Sequence, residues 1–292
     1  MSRVVLPALS RALVAAAALG QSSAATPDIA SRIQAKAVLL VNANSGQVLF
    51  SRMPDAKYPP ASTTKLLTAL LVYERVGLRG NFMIAEADTR VEPSHVPLRP
   101  GETVAVRDMV RSLLIGSDND TAMALARHVG GSAPRFINLM NTRAQQLGCS
   151  ASRFKNPNGL PAAGQHTTCR DLMRIFDRVL AIPALREICQ MRGFYLSTSA
   201  GKQWVKNHNR LLGQYAGMGP AKTGWTIASR HTYAAAANRG GVELRLTLLN
   251  SPDKWSDSRI LFDYGFARTG VTAAPASAPS PPRRSTKDSA GS

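Results

Sequence analysis

The chain has 292 residues, of which 44 % are hydrophobic, and it carries 36 basic against 18 acidic residues, a formal net charge of +18. This apolar content is typical of a globular protein with a sizeable core and excludes a chain that is disordered throughout. The basic residues are scattered without an aromatic-interleaved cluster, which argues against nucleic-acid binding. A basic surface of this kind instead suits an anionic polymer of the cell envelope.

The N-terminal segment has the pattern of a secretory signal peptide. Arg3 and Arg11 precede an apolar run over residues 12–19, and small residues at 22–25 provide a cleavage site. The run is too short to span a bilayer, and no later segment has the ~18 consecutive apolar residues of a membrane span. We therefore predict that residues 1–25 are a signal peptide and that the mature protein is exported to the periplasm. It would associate with a membrane surface weakly at most.

Strands are predicted near both ends of the mature chain. Alternating or fully apolar runs flank Asn44-Ser45-Gly46 and Arg239-Gly240-Gly241, which is typical of two β-hairpins with glycine-containing turns. The predicted strands cover residues 37–42, 47–50, 222–226, 231–238 and 242–249. One antiparallel sheet formed from both chain ends is expected.

The middle of the chain has helical periodicity. Residues 63–75 are apolar on nearly every side, which indicates a helix buried all round. Further helices are predicted at 106–115, 121–129, 133–147, 170–181 and 254–266. The predicted fold is therefore α+β, with helices on the faces of the sheet and an all-helical subregion. Residues 26–268 are predicted to form this domain, and the Ala/Pro/Ser-rich residues 269–292 a disordered tail.

A Ser-x-x-Lys pair occurs four times, at Ser62/Lys65, Ser152/Lys155, Ser199/Lys202 and Ser251/Lys254. Position distinguishes them, because only Ser62 follows a proline pair and opens the fully apolar helix. Residues three apart share a helical face, so the Lys65 amine can reach the Ser62 hydroxyl. A serine needs such a base, and lysine can act as one when burial lowers its pKa.

Two further motifs follow in order along the chain. Ser117-Asp118-Asn119 is the only Ser-x-Asn, and Lys222-Thr223-Gly224 is the only Lys-Thr-Gly. Each alone is weak evidence. Together, on the predicted helix start, interhelical loop and strand, they form the motif set of β-lactamases and penicillin-binding proteins.

From about residue 37 to residue 266 the sequence resembles the low-molecular-mass D-alanyl-D-alanine carboxypeptidases and endopeptidases, a family of penicillin-binding serine peptidases. The similar segments include Asn156-Pro157-Asn158-Gly159-Leu160, interpreted as a structural loop, and Asn207-His208-Asn209-Arg210. The resemblance implies a β-lactamase/transpeptidase-like fold, a peptidoglycan peptide as substrate, and β-lactams as covalent inhibitors.

The resemblance also implies roles for individual residues. Ser62 would form the acyl-enzyme with Lys65 as its base, and Ser117 and Asn119 would relay the proton and hold the peptide. Lys222, Thr223 and Gly224 would bind substrate, with the backbone N–H groups of Ser62 and Trp225 as the oxyanion hole. Two departures from the family pattern are Asp118, where a small residue is usual, and Ser229-Arg230-His231, where an Ala-Gly pair is common.

Several alternatives remain. The favoured activity is that of a D-Ala-D-Ala carboxypeptidase, but an endopeptidase that cuts cross-links would form the same acyl-enzyme. A class A β-lactamase needs a deacylating glutamate between the second and third motifs, where only Glu187 lies, without the expected Glu-x-x-x-Asn. A non-catalytic cell-wall binder would need a broken motif set.

The cysteine and histidine patterns predict no prosthetic group. Cys149, Cys169 and Cys189 allow one disulfide but are interpreted as small buried residues, and no CxxC spacing occurs. The histidines show no paired spacing, so neither a metal site nor a cofactor is predicted.

Overall fold

The structure is a computed structural model that describes residues 29–271, apart from residues 90, 92–95, 97 and 200. The predicted signal peptide over residues 1–25 and residues 272–292 of the predicted tail lie outside the described residues, so both remain predictions.

The chain forms strands at both ends and helices between them. In order, the elements are β1 (Ala37–Asn42), β2 (Val48–Arg52), α1 (Lys65–Val76), β3 (Asn81–Met83), β4 (Thr103–Ala105), α2 (Val106–Arg111), α3 (Asn119–Gly130), α4 (Ala133–Gln146), α5 (Cys169–Leu180), α6 (Pro183–Gln190), β5 (Gly193–Thr198), β6 (Gly201–Lys206), β7 (Met218–Thr226), β8 (Arg230–Arg239), β9 (Val242–Ser251) and α7 (Lys254–Arg268). Short 3₁₀ turns lie at Ile29–Ser31, Ala61–Thr64 and Glu86–Asp88.

The main sheet is antiparallel, with the strand order β2-β1-β9-β8-β7. The first strand of the chain pairs with the last, in the register Ala37↔Leu249 to Asn42↔Leu244. The prediction of one sheet formed from both chain ends is therefore confirmed. Strand β7, which carries the third motif, lies at one edge of this sheet, where only β8 pairs with it.

Both faces of the sheet are covered. Alternate side chains of a strand point to opposite faces, so Val38 and Leu40 belong to the core beneath α7, which includes Phe262, whereas Leu39 belongs to the core on the other side, where α5 covers β1. Because β1 is buried on both faces, its sequence is a continuous apolar run instead of an alternating one.

The second core lies among α1, α3, α4 and α5. Helix α1 is buried from Lys65 to Val72, as its all-round apolar sequence predicts. Its start differs from the prediction, because residues 61–64 form a 3₁₀ turn ahead of the α-helix. The predicted helix over 106–115 is also modified, since α2 ends at Arg111 and a π-helical turn follows at Ser112–Gly116.

Several elements were not predicted from the sequence. These are the short α6, which Pro183 opens, the two-stranded sheet of β3 and β4, and the hairpin of β5 and β6. Polar residues dominate the outward face of β6, so its strand pattern is weak.

The three cysteines are free and buried, as interpreted from the sequence. Burial raises the pKa of Cys149 and of Cys189 to about 12, which keeps both thiols protonated and unreactive. Among the described residues, no helix has the length and apolar character needed to cross a membrane.

Candidate active site

The segment around Ser62 is held in a tight conformation between two glycines. Ala61 has a positive φ of 48°, which a non-glycine residue adopts only where its surroundings enforce it. A Cβ on Gly159 would lie 1.9 Å from the Ala61 carbonyl oxygen, and one on Gly224 would lie 2.8 Å from the Ser62 nitrogen. The loop carrying Gly159 and strand β7 therefore approach Ser62 as closely as two glycines allow.

Hydrogen bonds fix the same segment. The hydroxyls of Thr63 and Thr232 both donate to the Pro60 carbonyl oxygen, at 2.6 and 2.8 Å. Because Thr232 lies on β8, opposite Gly224 of β7, the sheet edge and the nucleophile segment form one rigid unit.

Lys65 begins α1, and its amine lies on the buried side of Ser62. The Nζ atom is 2.9 Å from Ser62 Oγ and donates to Asn119 Oδ1 at 2.8 Å and to the Asn158 carbonyl oxygen at 2.6 Å. The side chain is fully buried, and this burial lowers the pKa of Lys65 well below its ordinary value, with the charge of Lys222 lowering it further. A neutral amine here can donate to Asn119 and Asn158 and direct its lone pair at the Ser62 hydroxyl.

The second motif is positioned by the π-helical turn. This turn ends at Ser117, which has a left-handed φ of 67°, and Asn119 then begins α3. The backbone is left-handed at Ser117 and extended at Asp118, and Ser117 and Asn119 both line the cleft. Asn119 contacts Lys65, and Ser117 Oγ accepts a hydrogen bond from Lys222 Nζ at 2.8 Å.

The unusual middle residue of this motif points elsewhere. The Asp118 carboxylate accepts a hydrogen bond from Ser112 Oγ at 2.5 Å, within the turn. Burial raises the pKa of Asp118, and the Ser112 hydroxyl and the two nearby lysines oppose that rise. Asp118 is absent from the lining of the cleft, so its carboxylate does not form part of the substrate-facing surface.

The third motif forms the opposite wall. Lys222 is buried and donates to Ser117 Oγ and to the Thr223 carbonyl oxygen. Burial lowers its pKa to about 7. Thr223 and Gly224 line the cleft, whereas the ring of Trp225 is 59 % exposed at its rim.

The motif residues meet at a cleft of about 820 Å³. None of the described residues that line it is acidic, while Lys206, Arg210 and Lys254 give it a positive charge. Such a wall favours a substrate with a free carboxylate. The lining comprises Ser62, Ser117, Asn119, Gly159, Leu160, Pro161, Lys206, Asn207, His208, Arg210, Thr223, Gly224, Trp225, Thr226, Ile227, His231, Lys254 and Trp255.

Sequence reasoning assigned no function to two parts of this site. The loop at 156–160 supplies the Asn158 carbonyl that holds Lys65, so it contributes directly to the site as well as being structural. His231 and Lys254 also line the cleft, with Nδ1 and Nζ 2.9 Å apart, and burial lowers the pKa of Lys254 to about 8. The available sequence signal for the loop was a glycine, Gly159, directly after Asn156-Pro157-Asn158. For the His231–Lys254 pair the sequence offers none.

The described residues include no group of three or more His, Cys, Asp or Glu side chains placed to hold a metal ion. The side chains that meet at the cleft and can carry chemistry are those of the two serines, the two lysines and Asn119.

Comparison with known proteins identifies the family of this chain. The family model described as D-alanyl-D-alanine carboxypeptidase matches residues 21–253. The carboxypeptidase DacB2 of Mycobacterium tuberculosis is 33 % identical over 237 residues, which cover 78 % of this chain and 81 % of that protein.

Two solved structures are similar as well. The crystal structure of a D-alanyl-D-alanine carboxypeptidase from M. tuberculosis H37Rv has a TM-score of 0.76 at 33 % identity, covering 80 % of this chain and 91 % of that one. The Streptomyces K15 DD-transpeptidase has a TM-score of 0.75 at 28 % identity, covering 80 % and 98 %. The fold is thus of the DD-peptidase and transpeptidase class. The chain belongs to the D-alanyl-D-alanine carboxypeptidase family, whose members are serine peptidases.

Proposed function

We propose that the protein is a D-Ala-D-Ala carboxypeptidase that acts on peptidoglycan stem peptides through an acyl-enzyme on Ser62. The observation that carries this proposal is the fully buried Lys65 amine, 2.9 Å from Ser62 Oγ and braced by Asn119 and Asn158. Ser152, Ser199 and Ser251, the other Ser-x-x-Lys serines, do not line the cleft.

Acylation follows from that geometry. Neutral Lys65 takes the Ser62 proton while Oγ attacks the carbonyl carbon of the D-Ala-D-Ala bond. The oxygen of the tetrahedral intermediate receives hydrogen bonds from the backbone N–H groups of Ser62 and Trp225. Each such donor is worth ~3–4 kcal/mol of transition-state stabilisation. The close packing at Gly224 keeps β7 near enough for this.

Collapse of the intermediate breaks the C–N bond, and the proton that Lys65 took from Ser62 passes through Ser117 to the departing amine, which leaves Lys65 neutral again. Water then attacks the ester, Lys65 accepts its proton and returns it to Ser62 Oγ, and the acyl group leaves as a carboxylic acid. The Thr223 hydroxyl, which lines the cleft, and the charge of protonated Lys222, buried behind it, hold the terminal carboxylate, and the acid-free lining supports this assignment.

The leaving group separates the two peptidase activities. A carboxypeptidase releases free D-alanine, whereas an endopeptidase releases the diamino acid of the neighbouring peptide to which the D-alanine was cross-linked. The positive wall formed by Arg210 and Lys254 favours the substrate that ends in a free carboxylate. We therefore retain carboxypeptidase as the proposal and endopeptidase as its alternative.

A β-lactamase is disfavoured because an opened penicillin keeps its departing nitrogen tethered in the cleft, where it obstructs water, and fast deacylation then needs a second, dedicated base. Glu187 is exposed on α6 and does not line the cleft, and Asp118 points at Ser112. We therefore propose that penicillin forms a stable adduct with this enzyme. A non-catalytic binder is disfavoured as well, because the motif side chains are all present and Lys65 contacts Ser62 and Asn119 while Lys222 contacts Ser117.

Defined substrates test this proposal. We expect repeated release of D-alanine from a monomeric D-Ala-D-Ala peptide and a penicillin adduct that lasts for minutes, since general-base help of ~10²–10⁴-fold is missing from its deacylation. The measurement is stopped-flow acylation, a chase, and recovery of peptidase activity. Recovery within about a second, with many penicillins consumed, would restore the β-lactamase. Cleavage of cross-linked peptides alone would select the endopeptidase.

The pH profile gives a second prediction. Lys65 must be neutral to accept the Ser62 proton, so kcat/KM falls as the pH drops through its depressed pKa. Lys222 must be charged to hold a carboxylate, and its pKa of about 7 predicts a fall as the pH rises past that value. A peptide whose C-terminus is amidated should lack the alkaline fall. The same alkaline limb with both peptides would contradict the role of Lys222.

We also propose that the protein is exported to the periplasm after removal of residues 1–25. The basic composition and the cell-wall activity of its relatives support this proposal. N-terminal sequencing of the protein from an envelope fraction tests it, and an intact N-terminus in the cytoplasmic fraction would refute it.

A further inference from the structure

The hairpin of β5 and β6 presents two exposed aromatic rings. Tyr195 and Trp204 are paired across the strands, and their rings are 60 % and 49 % exposed. Their centroids lie 4.9 Å apart at 62°, and Lys202 Nζ lies 4.9 Å from the Tyr195 ring centroid. Large aromatic side chains left half in water on a two-stranded sheet are a feature of binding surfaces.

The position of Trp204 is fixed by its surroundings. A Cβ on Gly193 would lie 2.5 Å from Trp204 Cζ2, so the indole lies directly on the glycine backbone. The opposite face of the hairpin is anchored by buried Phe194, Leu196 and Val205. The ring is thus held in place before any ligand arrives, which lowers the entropy cost of binding.

This surface is continuous with the cleft. Alternate residues of a strand share a face, so Lys202, Trp204 and Lys206 all project from the outer side of β6. Lys206 lines the cleft. With a rise of ~3.3 Å per residue, Trp204 lies about 7 Å along the strand from that wall.

The charge around the rings is positive. The chain has no acidic residue between Glu187 and Glu243, and Lys202 and Lys206 flank Trp204 on the outer face. The carboxylate of Glu102 accepts a hydrogen bond from the Ser199 N–H, but this contact is at the tip of the hairpin, away from the cleft. The two lysines therefore give the outer face of β6 a positive charge.

We infer that the outer face of the β5–β6 hairpin binds the glycan strand that carries the substrate peptide. This inference rests on the proposed function, since the stem peptide in the cleft is covalently joined to that glycan. A stem of a few residues at ~3.5 Å each keeps the glycan within about 20 Å of Ser62. Sugar rings offer a face of C–H groups to the electron-rich faces of Tyr195 and Trp204, and the lysines donate hydrogen bonds to the hydroxyl and amide oxygens of the sugars.

Binding is tested with the cleft blocked. Penicillin-acylated protein is sedimented with peptide-free glycan strands, prepared from sacculi by amidase treatment. We expect the apparent Kd to rise about tenfold for Trp204→Ala and further when Tyr195→Ala is added, while Trp204→Tyr retains most of the affinity. Met83→Ala, at a residue 63 % exposed on β3, is the matched control. Complete acylation by penicillin shows that each variant is folded.

The outcomes separate the two proposals. Equal glycan binding by the wild type and by Trp204→Ala would overturn the inference. It would also be overturned if Trp204→Ala bound glycan normally and lost affinity only for anionic lipid vesicles in a parallel sedimentation assay. Turnover of a soluble D-Ala-D-Ala peptide by the wild type is measured in parallel. Its absence would refute the proposed function, whereas normal turnover with unchanged glycan binding would refute the hairpin surface alone.

Discussion

Lys65→Arg should reduce the rate at which penicillin and peptide acylate the enzyme by about 10²–10⁴-fold, the usual contribution of a general base. A guanidinium remains protonated even when buried and cannot accept the Ser62 proton. It is also too large for the space between Asn119 and the Asn158 carbonyl, which now hold the amine at 2.8 and 2.6 Å. The measurement is the pre-steady-state acylation rate at saturating ligand.

Lys155→Arg is the matched control, because Lys155 belongs to another Ser-x-x-Lys pair and is exposed. It should acylate like the wild type. Lys65→Arg acylating within about tenfold of the wild type, with unchanged thermal stability, would show that Lys65 is not the base.

Gly159→Ala should destabilise the protein by about 3 kcal/mol or more and strongly reduce acylation. Gly159 has a φ of +88°, and its new Cβ would lie 1.9 Å from the backbone oxygen of Ala61. Neither backbone can move freely, since Asn156 Oδ1 accepts from the Gly159 N–H at 2.7 Å and Ala61 is itself strained. Any adjustment therefore displaces Ser62 or the Asn158 carbonyl.

Gly164→Ala is the matched control, because it introduces the strain of a positive φ without the close approach to a backbone oxygen. Gly164 has a similar φ of +76°, but a Cβ there would meet only Lys155 Cε, at 3.8 Å. It should cost about 1 kcal/mol and leave acylation unchanged. Urea unfolding followed by a penicillin-acylation assay measures both quantities. Equal losses for the two variants would show that the close approach to Ala61 is unimportant.

Much of the fold was predictable because its patterns are local. The all-round apolar sequence of residues 66–72 predicts a buried helix, and glycine turns at residues 46 and 240 predict the two hairpins of the main sheet. The β5–β6 hairpin escaped prediction because four of the six residues of β6, including Lys202 and Gln203, are polar, charged or glycine, which obscures the alternation of a strand. The π-helical turn before Ser117 has no sequence pattern of its own.

The site was predictable as a set of motifs but not as a geometry. Spacing along a helix suffices to bring Lys65 to Ser62. The remaining contacts join residues far apart in the chain, such as Lys222 with Ser117 and Lys65 with the Asn158 backbone. A backbone carbonyl has no side-chain signature, so its part in holding Lys65 emerges only from the fold. The same is true of Asp118, whose orientation depends on Ser112.

The central claim, that Ser62 alone is the nucleophile, is tested most directly by mass mapping of the penicillin adduct. The wild-type protein is acylated to completion, digested, and the modified peptide sequenced by tandem mass spectrometry. The account predicts a single label on Ser62, because only this Ser-x-x-Lys serine lines the cleft beside a fully buried lysine amine. A stoichiometric label on Ser152, Ser199, Ser251 or Ser117 would contradict it.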